Sequence, residues 1–314
     1  MGVTRVAFVG AGVTARAHAK AFAACGAELA GVASRTRTSA AAFAAEFEIP
    51  VVADSPAQLW RETSADLVVL CVSDAQIRAA ATAVLAQPWA ILMEKPLGLD
   101  LDEAEAIARM AAVRDGPRVA VGLNRRALAA TRTVLADVTA TAGTRFVRVE
   151  DQQSVADRIA AGDEPRLASL QMYANSIHLI DYFAVFCRGA PRRVHRIAPW
   201  TPSAPGPVVA AIEYESGDIG MYEAMWERPG AWSCVVVTPA RRWELRPLET
   251  VTRQDAGSRV RAQVPPDPED EAFKPGFLAQ ARAALAMARG DGAPYATLAD
   301  ALATTRLIAE IYRK

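Results

Sequence analysis

Lysine is scarce in this chain. Of 35 basic residues only Lys20, Lys95, Lys274 and Lys314 are lysines, and 31 are arginines, so an interior lysine would stand out. Basic and acidic residues balance at 35 each, and a net charge of zero leaves no electrostatic footprint for nucleic acid. Three histidines, at 18, 178 and 195, show no His-x-x-x-His spacing, and four cysteines, at 25, 71, 187 and 234, form no CxxC pair. Neither set makes a zinc site, and no metal is expected. Cys71 and Cys187 lie among apolar residues, as free thiols of a reducing cytoplasm would. The longest charge-free stretch, 197–212, carries four prolines and cannot cross a membrane as a helix. Gly10 and Gly12 break the first apolar segment, so no signal peptide is expected. There is no GxxxxGK phosphate loop and no GxSxG elbow. A cytoplasmic protein is expected.

What remains is a globular composition, 52% hydrophobic and 22% charged, over 314 residues, enough for two domains. The first part alternates apolar strands, at 5–9, 28–33, 50–52, 66–72, 89–93 and 118–122, with helical spacing at 14–25, 38–46, 75–86 and 100–113. Near-continuous apolar runs such as LVVLCV suit a sheet covered on both faces, so a doubly wound parallel Rossmann sheet is predicted. After Gly122 the rhythm changes. A helix over 127–141, a strand over 144–150, a polar stretch 151–166 and an apolar helix over 175–186 lead into five or six strands between 193 and 252. An acidic, proline-rich stretch, 264–277, reads as a surface loop, and helices near 275–289 and 297–312 close the chain. The predicted architecture is α/β: a Rossmann domain over 1–122, then an α+β domain over 123–314 with a large open, mostly antiparallel sheet. The C-terminal helices are expected to pack back on the first domain.

Gly10-Ala11-Gly12-Val13-Thr14-Ala15 is GxGxxA between a strand and a helix. Its first glycine permits a tight turn, its second lets backbone approach a pyrophosphate, and Ala15 allows close helix–sheet packing. The second strand runs into Ser34-Arg35-Thr36-Arg37, with no carboxylate where an NAD-preferring fold places one. Ser34, Arg35 and Arg37 could hold a 2′-phosphate, which favours NADP while leaving NAD possible; the alternative is a solvated helix start capped by Thr36 or Thr38. Lys95 follows the strand 89–93 at the sheet edge where ligands bind, and can hydrogen-bond a reacting carbonyl oxygen. Its alternative is a surface lysine paired with Glu94 or Asp100.

Together the GxGxxA turn, Ser34-Arg35, Glu94-Lys95-Pro96 and Gly122-Leu123-Asn124-Arg125-Arg126 resemble the Gfo/Idh/MocA oxidoreductase family, the relatives of glucose–fructose oxidoreductase and inositol dehydrogenase. The resemblance implies hydride transfer at a carbon of a sugar or sugar derivative, and a second domain that often builds dimers or tetramers. It places Lys95 near the nicotinamide, with Val72, Ser73 and Glu94 along the cofactor. Its Asp-x-Gly-x-His-x-x-Asp signature corresponds to residues 174–181, where His178 and Asp181 are kept but Ala174 and Ser176 replace Asp and Gly. Lys95, His178, Asp181 and Asn175 are thereby the catalytic candidates, with a satisfied core histidine as the alternative for His178. Asn124, Arg125, Arg126 and Tyr173 are the substrate-binding candidates, with the region of Trp226, Pro229 and Trp232 supplying aromatic faces; the alternatives are salt bridges for the arginines and core or interface packing for the aromatics. Segments like GLNRR and MYANSIHLIDYF resemble members linked to bacterial surface-polysaccharide sugars. The rival function is a non-catalytic dinucleotide-binding regulator or sensor on the same fold, which Ala174 favours.

Overall fold

The computed structural model describes residues 3–112 and 118–313. Contacts group the chain into two compact units, one of residues 1–98, 102–127 and 269–302, the other of residues 99–101, 128–268 and 303–314. The sequence reading puts one boundary after 122; the contacts instead place 123–127 and 269–302 with the first unit.

The first unit holds β1 (Arg5–Val9), α1 (Val13–Ala24), β2 (Glu28–Ala33), α2 (Arg37–Phe47), β3 (Val51–Ala53), α3 (Pro56–Thr63), β4 (Leu67–Leu70), α4 (Ile77–Leu85), β5 (Ala90–Met93), α5 (Leu101–Ala112) and β6 (Val119–Val121). Residue 113, the end of the predicted helix 100–113, lies outside the described residues. The six strands form one parallel sheet in the order β3-β2-β1-β4-β5-β6. Every residue of β4 and β5 is buried, which is why these strands are apolar without alternation. The strand order reverses between β1 and β4, so a crevice opens at their C-terminal ends. Helix α3, absent from the sequence reading, packs on β2 at Gly31, where an added Cβ would lie 2.5 Å from the Thr63 methyl.

The second unit begins with α6 (Ala129–Ala140), β7 (Phe146–Gln153), short helices α7 (Val155–Ala160), α8 (Pro165–Ala168) and α9 (Gln171–Ala174), and α10 (Ile177–Phe186). Strands β8 (Pro191–Ala198), β9 (Val208–Tyr214), β10 (Ile219–Trp226), β11 (Ser233–Val237), β12 (Arg241–Leu245), β13 (Val251–Asp255) and β14 (Ala262–Val264) follow. Eight strands form one sheet, β14-β13-β12-β11-β7-β10-β9-β8, antiparallel except where β7 runs beside β10. Burial alternates along β9 and β10, so one face is covered and the other open. Helix α10 covers that face, and Gly220 admits it: a Cβ there would meet Phe183 at 2.9 Å.

The stretch 264–277 corrects the loop reading in part. It contains α11 (Pro268–Ala272) and ends in Phe277, which is 1% exposed and opens α12 (Phe277–Arg289). Apolar residues of α12 pack on α1, β4 and β5 in the core of the first unit, and this packing overrides the local charge of the preceding segment. The last helix, α13, spans Leu298–Tyr312.

Candidate active site

Five strand ends of the first unit, those of β1 to β5, line one cavity of about 690 Å³. The turn Gly10–Ala15 follows β1, Ser34 and Arg35 follow β2, Cys71 to Asp74 follow β4, and Glu94 and Lys95 follow β5. The first turn is shaped by Gly10, whose φ of +112 only glycine tolerates well and whose missing Cβ would lie 1.8 Å from the Cys71 carbonyl oxygen. Gly12 differs: an added Cβ there meets nothing within 4 Å, so its lack of a side chain keeps space open. It stands at the N-cap of α1 with no side-chain cap bond, and the helix's first turn has no acidic residue. Free amides and the positive end of the helix dipole therefore face the cavity, which fits a pyrophosphate.

Of the predicted cofactor residues, Gly10, Gly12, Val13, Thr14, Ala15, Ser34, Arg35, Val72, Ser73, Glu94 and Lys95 line this cavity. Arg37 does not. Its guanidinium donates to Asp54 Oδ1 at 2.6 Å, and Asp54, after β3, is itself a lining residue. Thr36 caps α2 by accepting from the Ser39 amide. Asp54 was missed along with α3, although Ser55 followed by Pro56 is a helix-start signal and Ser55 does cap α3.

Glu94 belongs less to the solvent side than the sequence implies. Its Oε1 lies 2.7 Å from Nε2 of His18, which is 0% exposed. The carboxylate rests against the end of β6, where a Cβ on Gly122 would come within 2.7 Å. Burial pushes the Glu94 pKa upward most strongly, yet the His18 bond, with Lys95 and Lys274, brings it below the ordinary value. The Phe277 ring packs on His18 with centroids 4.4 Å apart, and Lys274 Nζ sits 4.4 Å from the Phe277 centroid. Burial, then Lys95 and Arg125, lower the Lys274 pKa. Two of the four lysines thus converge on Glu94, and Lys274, read as part of a solvated loop, is one of them.

His18, Cys71 and Glu94 offer ligating atoms within 4.8 Å of one another. Two of the three are already joined, Glu94 Oε1 lying 2.7 Å from His18 Nε2. Burial holds the Cys71 thiol well above its usual pKa, and two ammonium groups already face Glu94.

Asn124 donates to the Pro275 carbonyl at 2.9 Å, and Arg126 to the Tyr295 carbonyl and Asp300. These two predicted substrate ligands thus tie the returning segment 275–300 to the first unit, while the charge of Arg125 acts on Lys274.

In the second unit, His178 is 8% exposed and Asp181 accepts from Thr304 at 2.8 Å. Asn175 donates to Gln153, and Tyr173 is half-buried. Trp226 and Trp232 are not open aromatic faces. Trp226 is 0% exposed and donates to Tyr312, and Trp232 donates to Asp151, a wholly buried carboxylate that also accepts from Tyr222 and Gln153. The predicted polar stretch 151–166 hid this residue because β7 continues to Gln153.

Residues 4–123 match the model of the Gfo/Idh/MocA oxidoreductase family, described as an NAD-binding Rossmann fold. No curated protein matches the chain. Among solved structures, UDP-N-acetylglucosamine 3-dehydrogenase from Acidithiobacillus ferrooxidans superposes with a TM-score of 0.78 at 20% identity, covering 99% of this chain and 97% of that one. A dehydrogenase from Chromobacterium violaceum gives 0.81 at 19% identity, covering 99% and 94%. Levoglucosan dehydrogenase, in complex with NADH and levoglucosan, gives 0.77 at 15%, covering 99% and 96%. At such identities the likeness establishes the fold. Among the described residues no helix is long and apolar enough to cross a membrane.

Proposed function

We propose that this chain is an NAD(P)-dependent dehydrogenase acting on a hydroxyl or keto carbon of a sugar or sugar derivative, with NADP(H) favoured, because residues 4–123 match the NAD-binding Rossmann model of the Gfo/Idh/MocA oxidoreductase family. One observation carries the reading: an uncapped helix N-terminus and Lys95 line the same cavity. The bound dinucleotide would supply the hydride acceptor or donor. Backbone amides at Gly12–Ala15 would hold its pyrophosphate, Ser34 and Arg35 its adenosine ribose end, and the Ser73 hydroxyl would offer a further hydrogen bond. The Lys95 ammonium hydrogen-bonds the substrate oxygen and exchanges its proton as the carbon gains or loses hydride. Glu94, kept ionised by His18, fixes a negative charge beside that ammonium.

His178 is proposed as a second proton carrier, with Asn175, Asp181, Tyr173 and Arg125 as further site residues. Nucleotide-linked sugars are the first substrates to screen, consistent with a role in surface-polysaccharide sugar synthesis, and the open sheet face supports a homo-oligomer. Fluorescence titration with NADPH and NADH tests cofactor binding. Turnover over a sugar panel is then compared in the wild type and Lys95→Met. The reading expects binding of NADPH and a loss of turnover in Lys95→Met with binding retained. Binding of neither cofactor, or full activity in Lys95→Met, overturns it, and His178→Asn with unchanged turnover removes His178 from the reaction. A second reading, a dinucleotide-binding regulator, draws on Ala174 and Ser176 in place of the family's Asp and Gly. It predicts bound cofactor whose redox state no sugar changes.

A further inference from the structure

At one end of the cavity the wall is built from two adjacent strand ends. Ser34 and Arg35 come from the end of β2, Ser39 from the first turn of α2, and Asp54 from the end of β3. The Asp54 backbone is held in place by α3, since its amide donates to Gln58 Oε1 at 3.0 Å and the Gln58 amide donates to Ser55 Oγ at 3.2 Å. Its carboxylate takes the Arg37 guanidinium at 2.6 Å, and both side chains are 65% exposed. One arginine therefore lines the cavity while the other is drawn to an acid that lines it too.

We propose that Asp54 sets the cofactor selectivity of this site. It engages Arg37 and adds a carboxylate beside Ser34 and Arg35, so a 2′-phosphate meets one cation and one anion instead of two cations. A 2′-hydroxyl meets a hydrogen-bond acceptor. The acid that favours NAD at the end of a second strand is missing from this sequence, and here the neighbouring strand supplies one, which narrows the NADP(H) preference given by Ser34 and Arg35 without reversing it. The Arg37–Asp54 pair is exposed, and exposed pairs are weak, so Arg37 is free to exchange partners once the acid is removed. All of these side chains line or border one cavity end, within reach of unscreened charge–charge interaction at low salt. The inference rests on the dinucleotide reading.

The test is a fluorescence titration of the full chain with NADPH and NADH at low and at high salt, in four proteins: wild type, Asp54→Asn, Arg37→Ala and the double variant. Asp54→Asn is expected to raise the preference for NADPH over NADH about tenfold at low salt, chiefly by tightening NADPH, and less at high salt. In the double variant most of that gain is lost, because the arginine that Asp54 restrained is gone. The inference is overturned if Asp54→Asn binds both cofactors with a preference within about twofold of the wild type. It is also overturned if the gain persists undiminished without Arg37. A wild-type protein that binds neither cofactor removes the dinucleotide reading itself, and the selectivity role with it. A melting curve for each variant confirms that these exposed substitutions leave the fold intact.

Discussion

Gly10 and Gly12 lie two residues apart in one turn, yet alanine at each should fail in a different way. At Gly12 the new methyl meets no protein atom within 4 Å and φ is −82, an ordinary value for alanine. The cost to folding is that of a poorer N-cap, at most about 1 kcal/mol, or a few degrees in melting temperature. The methyl does enter the space through which a phosphate oxygen approaches the amides of α1. Losing one N–H bond to a charged oxygen costs about 1.5–3 kcal/mol, which is roughly 10- to 150-fold in affinity. At Gly10 the methyl would sit 1.8 Å from the Cys71 carbonyl oxygen, at a φ of +112. The backbone must move by more than an ångström, and the bond from the Gly10 amide to Ala33, 2.8 Å long, goes with it. Strain and overpacking together put that cost at roughly 2–6 kcal/mol. Scanning fluorimetry and NADPH titration on the two variants separate these effects. Gly12→Ala should melt near the wild type and bind weakly, and Gly10→Ala should melt lower as well as bind weakly. Wild-type NADPH affinity in Gly12→Ala, or a wild-type melt in Gly10→Ala, would refute the account of the turn.

His18→Leu leaves the Glu94 carboxylate buried without its 2.7 Å partner and should cost about 3–5 kcal/mol in a melt or denaturant series, whereas Glu94→Gln keeps a hydrogen bond to His18 and should cost less. Asp218 is 0% exposed, and although burial alone would raise its pKa, the Arg188 side chain and the amides of Arg145 and Arg188 hold it at about 2. A carboxyl depressed from 3.8 contributes stability that is present above that value and lost as pH falls through about 2. The contribution at neutral pH is about 2 kcal/mol after allowance for the partly exposed Arg188, so Asp218→Asn should flatten the acid limb of a urea stability profile measured from pH 2 to 7.

What the sequence made legible follows from range. Strands buried on both faces must be apolar throughout, so β4 and β5 announce themselves in LVVL and AILM. The glycine turn is legible because its chemistry lies within six consecutive residues. Helix α3 is not, because its eight residues, PAQLWRET, bury only Leu59 and Thr63, too short a stretch for its helical spacing to stand out. His18 meets Glu94 across 76 residues of sequence, and Arg37 meets Asp54 only because β3 lies beside β2. No local pattern records such pairs. The segment around Lys274 misled for the opposite reason. Its charges are local, but Phe277, inserted between Lys274 and His18, is placed by the core of the first unit.

The departure at Ala174 and Ser176 has a physical counterpart in the second unit. The helix lacks the carboxylate that the resemblance implies at 174, while Asp151 on β7 brings one close by through Gln153, which donates to Asp151 and accepts from Asn175. Yet Asp151 is 0% exposed, and Tyr222, Trp232 and Gln153 all donate to it. Burial raises its pKa more than those bonds lower it. A carboxyl so enclosed cannot exchange a proton with a ligand unless Trp232 or Tyr222 first moves. It is therefore a clamp between β7, β10 and the turn that precedes α10, not a replacement for the acid missing at 174. Under the proposed reaction, proton exchange then falls to Lys95 and His178. Loss of turnover in both Lys95→Met and His178→Asn would fit that division of labour; turnover that depended on Asp151 through a changed pH profile would not.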